Sequence, residues 1–215
     1  MRRALAGFIV IALAATVVVD AATKFKSTWK APDAGPGEFT GKKVVAVVIT
    51  DDLALQMPAE EALAAELTRR GVQATAAYRM IPKEELRDVT KAKGWFTRAN
   101  VAGVVAMRVV ASEKETVYTP TVWATAYYSS FWNYYGTSWT AVRSYKTRQS
   151  RNITIETLIF DVPKDKLLWA GVSETTDAKS VQAVVLDLVT ETTAEMRKAA
   201  FLPGGKIGGG VGSIW

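Results

Sequence analysis

Asp51 and Asp52 are the residues of this 215-residue chain whose type and position could support catalysis. They follow an apolar run, residues 44–50, that is typical of a strand buried on both faces. Ligand sites of α/β proteins often lie at the carboxyl ends of such strands, where a carboxylate pair could hold a cation or exchange protons with a substrate. Adjacent side chains rarely converge on one point, so capping of the next element is the alternative interpretation.

The composition excludes most other catalytic chemistry, because the chain contains neither cysteine nor histidine. Disulfides, thiolate or imidazole metal ligands, cysteine nucleophiles and histidine bases are therefore impossible. We expect no catalytic residues, no metal and no cofactor. A carboxylate-dependent enzyme that uses Asp51 and Asp52 is the alternative that stays open.

An uncharged aromatic segment is the second feature suited to a function. Residues 117–142 contain no charged side chain, and ten of the 21 aromatic residues lie between Tyr118 and Tyr145. Turn-forming residues at 133–136 favour a long hairpin insertion over residues 117–147. The rings could simply stabilise that hairpin as cross-strand pairs or lie on the core.

The same rings could instead contact a partner, because exposed Tyr and Trp are favoured anchors of protein interfaces. They also suit sugar rings or the polar zone of a bilayer. The candidate partner surface comprises Trp123, Tyr127, Tyr128, Phe131, Trp132, Tyr134, Tyr135, Trp139 and Arg143.

The amino terminus resembles a secretory signal peptide over residues 1–21. Arg2 and Arg3 precede an uncharged run at residues 4–19, and small residues follow it. At 16 residues, this run is shorter than the roughly 20 that span a bilayer. The pattern predicts export to the periplasm or cell envelope, with cleavage after about Ala21 or retention as an N-terminal anchor.

The remaining pattern indicates a single α/β domain over residues 44–202, after an extended lead-in at 22–43. Strands at 44–50, 72–78 and 101–111 alternate with helices, one starting near Pro58 and one over 82–93, which favours a partly parallel sheet. A hairpin (151–162 and 166–175) and a helix (178–200) follow. We predict a mixed sheet of about five strands flanked by about three helices, with a flexible glycine-rich tail at 203–215.

Several stretches together resemble a family of small, uncharacterised bacterial cell-envelope proteins, many of them lipoproteins. They are STWKAPD (27–33), VVAVVIT (44–50), ELTRRGVQA (66–74), TLIFDVPKDKLLWAGVSET (157–175) and the last amphipathic helix. The resemblance implies a fold similar to the N-terminal domain of the Tol-system propeller protein and to lipoproteins that activate penicillin-binding proteins. It also implies binding or assembly in the periplasm, although this chain lacks the lipobox cysteine.

These observations favour an exported binding or scaffolding protein without catalysis, which contacts an envelope protein or polymer through the aromatic insertion. Membrane-surface association is a further alternative, with the rings at the interface and Arg143 near anionic lipid. The net charge of +6 is mild and no concentrated basic stripe is present, so no nucleic acid is expected as a partner.

Overall fold

A computed structural model of the chain describes residues 22–110, 120–141, 152–176 and 181–202. The predicted signal peptide (1–21), the predicted tail (203–215) and Arg143 lie outside the described residues. Their predicted roles stay predictions.

A six-stranded mixed sheet forms the centre of the described domain and confirms the α/β class. Its strands are β1 (Ala22–Lys30), β2 (Lys43–Ile49), β3 (Gln73–Ala76), β4 (Gly103–Val110), β5 (Asn152–Asp161) and β6 (Lys166–Thr176), in the spatial order β1-β6-β5-β4-β2-β3. β2 runs parallel to both β3 and β4, whereas the β4–β5, β5–β6 and β6–β1 pairs are antiparallel. The parallel half therefore comes from the predicted β-α-β-α-β unit, and the antiparallel half from the predicted hairpin.

Seven helical segments occur in the described part of the chain. They are α1 (Leu53–Arg69), α2 (Ala77–Met80), α3 (Val89–Arg98), α4 (Pro120–Trp123), α5 (Ala126–Ser129), α6 (Phe131–Thr140) and α7 (Val181–Lys198). One hydrophobic cluster packs α1 and α7 on one face of the sheet, and a second packs α3 and α4–α6 on the other. Each sheet face is thereby covered by its own helical layer.

The lead-in at 22–43 was predicted as extended chain before the domain, and its first part is a strand of the sheet. β1 pairs with β6 along its whole length, from Ala22 opposite Thr176 to Lys30 opposite Trp169. Its side chains alternate between half-buried or buried and exposed positions, as an edge strand requires. The sheet consequently has one more strand than predicted.

Helix α1 begins five residues before the proline that was taken to mark its start. The Asp52 side chain accepts a hydrogen bond from the Ala54 backbone N–H (2.9 Å) and so caps the helix, while Pro58 lies inside it. At the other end, Gly71 adopts φ of +85°, a conformation that glycine reaches without steric cost. The Val72 and Gly71 N–H groups donate to Leu67 and Thr68 carbonyls, which closes the helix as a Schellman motif.

The second predicted helix is also displaced along the chain. α3 starts at Val89 rather than near Pro82, because the Asp88 side chain accepts from the N–H groups of Thr90 and Lys91.

None of the helices in the described ranges has both the length and the hydrophobicity required to cross a membrane.

Glu60 joins α1 to the sheet through a buried carboxylate. One oxygen accepts from the Val48 N–H (3.0 Å) and the Gln56 amide (3.1 Å), and the other accepts from the Tyr78 N–H (2.8 Å). The Val48 and Tyr78 N–H groups lie beyond the last residue pair of β2 and β3, Ala46 opposite Ala76. The carboxylate therefore accepts hydrogen bonds at a point where β3 no longer pairs with β2. Burial raises the pKa of Glu60, and the hydrogen bonds oppose that rise.

Replacing Glu60 by glutamine should lower the free energy of unfolding by about 1–3 kcal/mol. The amide NH₂ would face backbone N–H groups and leave at least one buried donor without an acceptor. Urea unfolding monitored by circular dichroism measures the change. The control is Glu61→Gln, at a more exposed neighbouring position, which should cost less than about 1 kcal/mol. An equal loss in the two variants would contradict the assigned role.

Candidate functional site

The described part of the aromatic segment, residues 120–141, forms helices α4, α5 and α6, so the prediction of a hairpin is wrong for these residues. Phe131, Tyr134, Tyr135 and Trp139 recur at the spacing of one helix face, and together with Ser138 they form the buried side of α6. The Ser130 side chain caps the helix by accepting from the Asn133 N–H (3.2 Å). A period near 3.6, rather than the period of 2 in a strand, therefore governs the segment.

Most of the predicted partner surface is packed against the sheet. Buried side chains are Trp123, Tyr128, Phe131, Tyr134, Tyr135 and Trp139. Their rings contact one another and Phe160 of β5 with centroids 4.8–6.2 Å apart. This burial agrees with the alternative that the rings lie on the core and does not fit a partner surface built from these six rings. A large uncharged helical layer is stabilised by leaving water.

A charged cluster that the sequence did not reveal lies beneath this aromatic layer. Glu156 of β5 is fully buried opposite Arg108 of β4, its partner in the strand register. The Arg108 Nε and Nη2 atoms lie 3.1 and 3.0 Å from Glu156 Oε1. The hydroxyls of Tyr134 and Tyr128 donate to the two carboxylate oxygens at 3.1 and 2.7 Å.

Tyr134 and Tyr127 beside this ion pair both have raised pKa values. Burial raises the pKa of Tyr134 well above its usual value, and the charge of Glu156 raises it further. Burial likewise raises the pKa of Tyr127, whose hydroxyl lies 2.8 Å from Ser138 Oγ. For Arg108, burial is the largest influence and acts to lower the pKa, but Glu156 and the surrounding tyrosines together outweigh it and the net shift is upward. The cluster thus links the sheet to α5 and α6 through one ion pair and two tyrosine hydrogen bonds.

Tyr127 and Trp132 are the half-exposed members of the predicted surface. The Trp132 ring packs on Phe96 of α3, and the exposed Lys93 Nζ lies 5.6 Å from its centroid. Similar pairs place Arg98 over Trp95 (4.3 Å) and Arg87 over Trp139 (5.2 Å). We call these three cations and three indoles, carried by α3, α6 and the turn before α3, the cation–indole face.

The structure places Asp51 and Asp52 between β2 and α1. Asp52 is exposed and caps α1, which confirms the capping interpretation for this residue, while Asp51 is half-buried. No group of three or more acidic residues is placed to hold a metal ion within the ranges that the structure describes.

Comparisons with known proteins do not assign the chain to a family. No protein family and no curated protein sequence matches the chain. Among solved structures, the PelC dodecamer from Paraburkholderia phytofirmans, in space group P6, is 14% identical with a TM-score of 0.44, over 80% of this chain and 95% of that chain. A variant of the same dodecamer with a Leu-to-Met substitution, in space group C2, is 13% identical with a TM-score of 0.44, over 78% and 96%.

Proposed function

We propose that this protein is exported to the cell envelope and binds an anionic protein or polymer there, without catalysis, through the cation–indole face. The observation that supports the proposal most directly is the pairing of exposed Lys93, Arg98 and Arg87 with three tryptophan rings on one helical layer. Indoles bury large area with few rotatable bonds, and Arg and Trp are enriched at the centres of interfaces. The exposed cations supply charge complementarity to an acidic partner.

The sequence supports the location of this activity. The signal-like residues 1–21 favour export, and the absence of cysteine fits a domain that is stable without disulfides. The resemblance to cell-envelope proteins stays a prediction, as does a non-catalytic role. The binding surface that we propose is shifted from the predicted one: it keeps Trp132 and adds Trp95 and the three cations. The buried Trp139 and the buried tyrosines support it from below.

Reversing two charges of the cation–indole face should weaken capture of envelope material by about tenfold or more, equivalent to about 1.4 kcal/mol. The variant is Lys93→Glu with Arg98→Glu, both at exposed positions where substitution leaves the core intact. The purified chain is incubated with an isolated envelope fraction at about 0.15 M salt, where exposed charges act over about 8 Å. Retained protein is measured after washing.

A charge reversal elsewhere provides the control for this experiment. Lys24→Glu changes an exposed lysine on β1, at the sheet edge away from α3, and should leave capture unchanged. Equal loss in Lys24→Glu and in the double variant would show general charge attraction and contradict a defined surface. Flotation of the protein with liposomes of anionic phospholipid, in the absence of envelope polymer and protein, would favour the membrane-surface alternative instead.

A further inference from the structure

Helix α3 carries a glycine, Gly94, on the side that faces away from the sheet. Ala92 and Phe96 are the buried residues of this helix, and at 3.6 residues per turn Gly94 lies opposite them. Glycine weakens the interior of a helix relative to alanine, because it loses more conformational freedom on folding. The residue that lies over Gly94, Arg98, explains what the missing side chain allows.

Arg98 lies over Gly94 with its guanidinium on the indole ring of Trp95. Helical side chains lean toward the N-terminus, onto the residues three and four positions earlier, which for Arg98 are Trp95 and Gly94. The guanidinium carbon is 4.3 Å from the centroid of the Trp95 ring. A Cβ atom at position 94 would be 3.3 Å from Nη1 of Arg98, closer than an ordinary van der Waals contact. A larger side chain at position 94 would therefore take the space of the guanidinium.

The Trp95 ring is itself held in place. Its Nε1–H group donates to Glu85 Oε2 (2.7 Å), and the ring packs against the hydrophobic cluster that includes Phe96. Lys91 Nζ lies 3.9 Å from the other carboxylate oxygen of Glu85. Arg98 therefore rests on a fixed ring, and its 4.3 Å separation is the shortest of the three pairs in the cation–indole face.

The Arg98 guanidinium keeps its donors for a ligand. No hydrogen bond or ion pair joins it to another of the described residues. A guanidinium is a planar fork of N–H donors that binds two oxygens of a carboxylate or phosphate at once. A long side chain that becomes ordered only on binding reduces affinity, whereas one that is already held on a ring loses less freedom.

We propose that Gly94 is a positioning residue of the cation–indole face. It leaves room for Arg98 to lie on Trp95, and Arg98 in that position binds two oxygens of a carboxylate or phosphate group of the anionic partner. Glu85 supports the arrangement by fixing the indole ring. This inference rests on the proposed function and assigns the group that the face recognises to the oxyanions.

The test replaces Gly94 by leucine in the full chain. Gly94→Leu keeps all three cations of the face, so attraction by net charge alone predicts no change in binding. We expect the affinity for at least one of two matrices, polyglutamate beads or polyphosphate beads, to fall about three- to tenfold, the effect of ordering one long side chain. The midpoint of urea unfolding should stay the same or rise, because leucine is the better helix former.

Removal of Arg98 separates positioning from a direct clash between the new leucine and the ligand. In the Arg98→Ala background, Gly94→Leu should cause no further loss of affinity, because no guanidinium is left to displace. A loss of the same size in both backgrounds would show that position 94 contacts the ligand itself, and the positioning role would be wrong. Thr90→Leu, at an exposed position one turn earlier in α3, adds the same side chain away from Arg98 and should leave the affinity unchanged.

NMR spectroscopy measures the position of Arg98 without any ligand. The ring current of Trp95 should shift the Arg98 side-chain protons upfield, and loss of that shift in Trp95→Leu assigns it to this ring. Gly94→Leu should remove most of the upfield shift, whereas Thr90→Leu should leave it in place. An unchanged shift in Gly94→Leu would overturn the proposal.

The outcomes separate this inference from the proposed function. If Lys93→Glu with Arg98→Glu lowers the affinity but Gly94→Leu does not on either matrix, the face binds anions and the positioning role of Gly94 is wrong. If neither variant lowers the affinity, both proposals are wrong. A Gly94→Leu loss restricted to polyglutamate assigns the oxyanion to carboxylates, and a loss restricted to polyphosphate assigns it to phosphates.

Discussion

Replacing Phe131 by alanine should lower the free energy of unfolding by about 3–5 kcal/mol, the range for removal of a large buried aromatic side chain. Phe131 is fully buried, and its ring lies 5.3–5.6 Å from those of Phe96, Tyr135 and Phe160. The substitution would open a cavity lined by α6, α3 and the sheet. Urea unfolding followed by circular dichroism at pH 7 measures the loss.

Two comparisons make the Phe131 result specific to packing. Phe131→Leu keeps most of the apolar volume and should cost less than about 1.5 kcal/mol. Trp132→Ala removes a half-exposed ring and should cost less than Phe131→Ala, even though the tryptophan is the larger side chain. Phe131→Ala could instead lower the free energy of unfolding by less than about 1 kcal/mol and also abolish capture of envelope material. Phe131 would then belong to a contact surface, and the packing role would be wrong.

The strands that were predicted correctly each carry their own hydrophobic pattern in the sequence. The apolar run of β2 and the alternating β5–β6 hairpin agree with the sequence boundaries to within one or two residues. β1 was missed although its signal is present: Lys24, Lys26, Thr28 and Lys30 alternate with less exposed residues. The same lead-in also contains prolines and glycines that favour irregular chain, and the alternation typical of an edge strand covers only its first part.

In the aromatic segment, the turn-forming residues and the spacing of the rings predict different structures. Asn133 and Gly136 favour a turn when considered alone, yet they lie inside α6. Asn133 is exposed there, and Gly136 is half-buried beside Val89 of α3. The spacing of Phe131, Tyr134, Tyr135 and Trp139 was the stronger signal, because it repeats over two helical turns whereas a turn signal involves four residues. The same period also predicts that these four rings are buried together.

The ion pair between Arg108 and Glu156 could not be found in the same way. The two residues are 48 positions apart in the chain, and they meet only because β4 and β5 pair in one register. A shift of that register by one residue would point one of them to the opposite sheet face. No local pattern determines the register between strands joined by a long connection, so this part of the site required the structure.

Replacing Arg108 by methionine should lower the free energy of unfolding by about 3–5 kcal/mol at pH 7, the range for removal of one partner of a buried ion pair. Glu156 would stay fully buried with its charge, and the Tyr128 and Tyr134 hydroxyls would be its remaining donors. Two neutral donors stabilise a carboxylate less than a guanidinium does. Urea unfolding measures this loss.

Glu156→Gln supplies the matched comparison, because the two partners differ in their access to water. The Arg108 side chain is 14% exposed, so an unpaired guanidinium can be partly hydrated, whereas an unpaired Glu156 cannot. Glu156→Gln should therefore cost less than Arg108→Met, and the double variant should be more stable than Arg108→Met alone, since it no longer buries a net charge. Strictly additive losses would show that the two charges act independently, and the ion pair would then not be what holds α5 and α6 against the sheet.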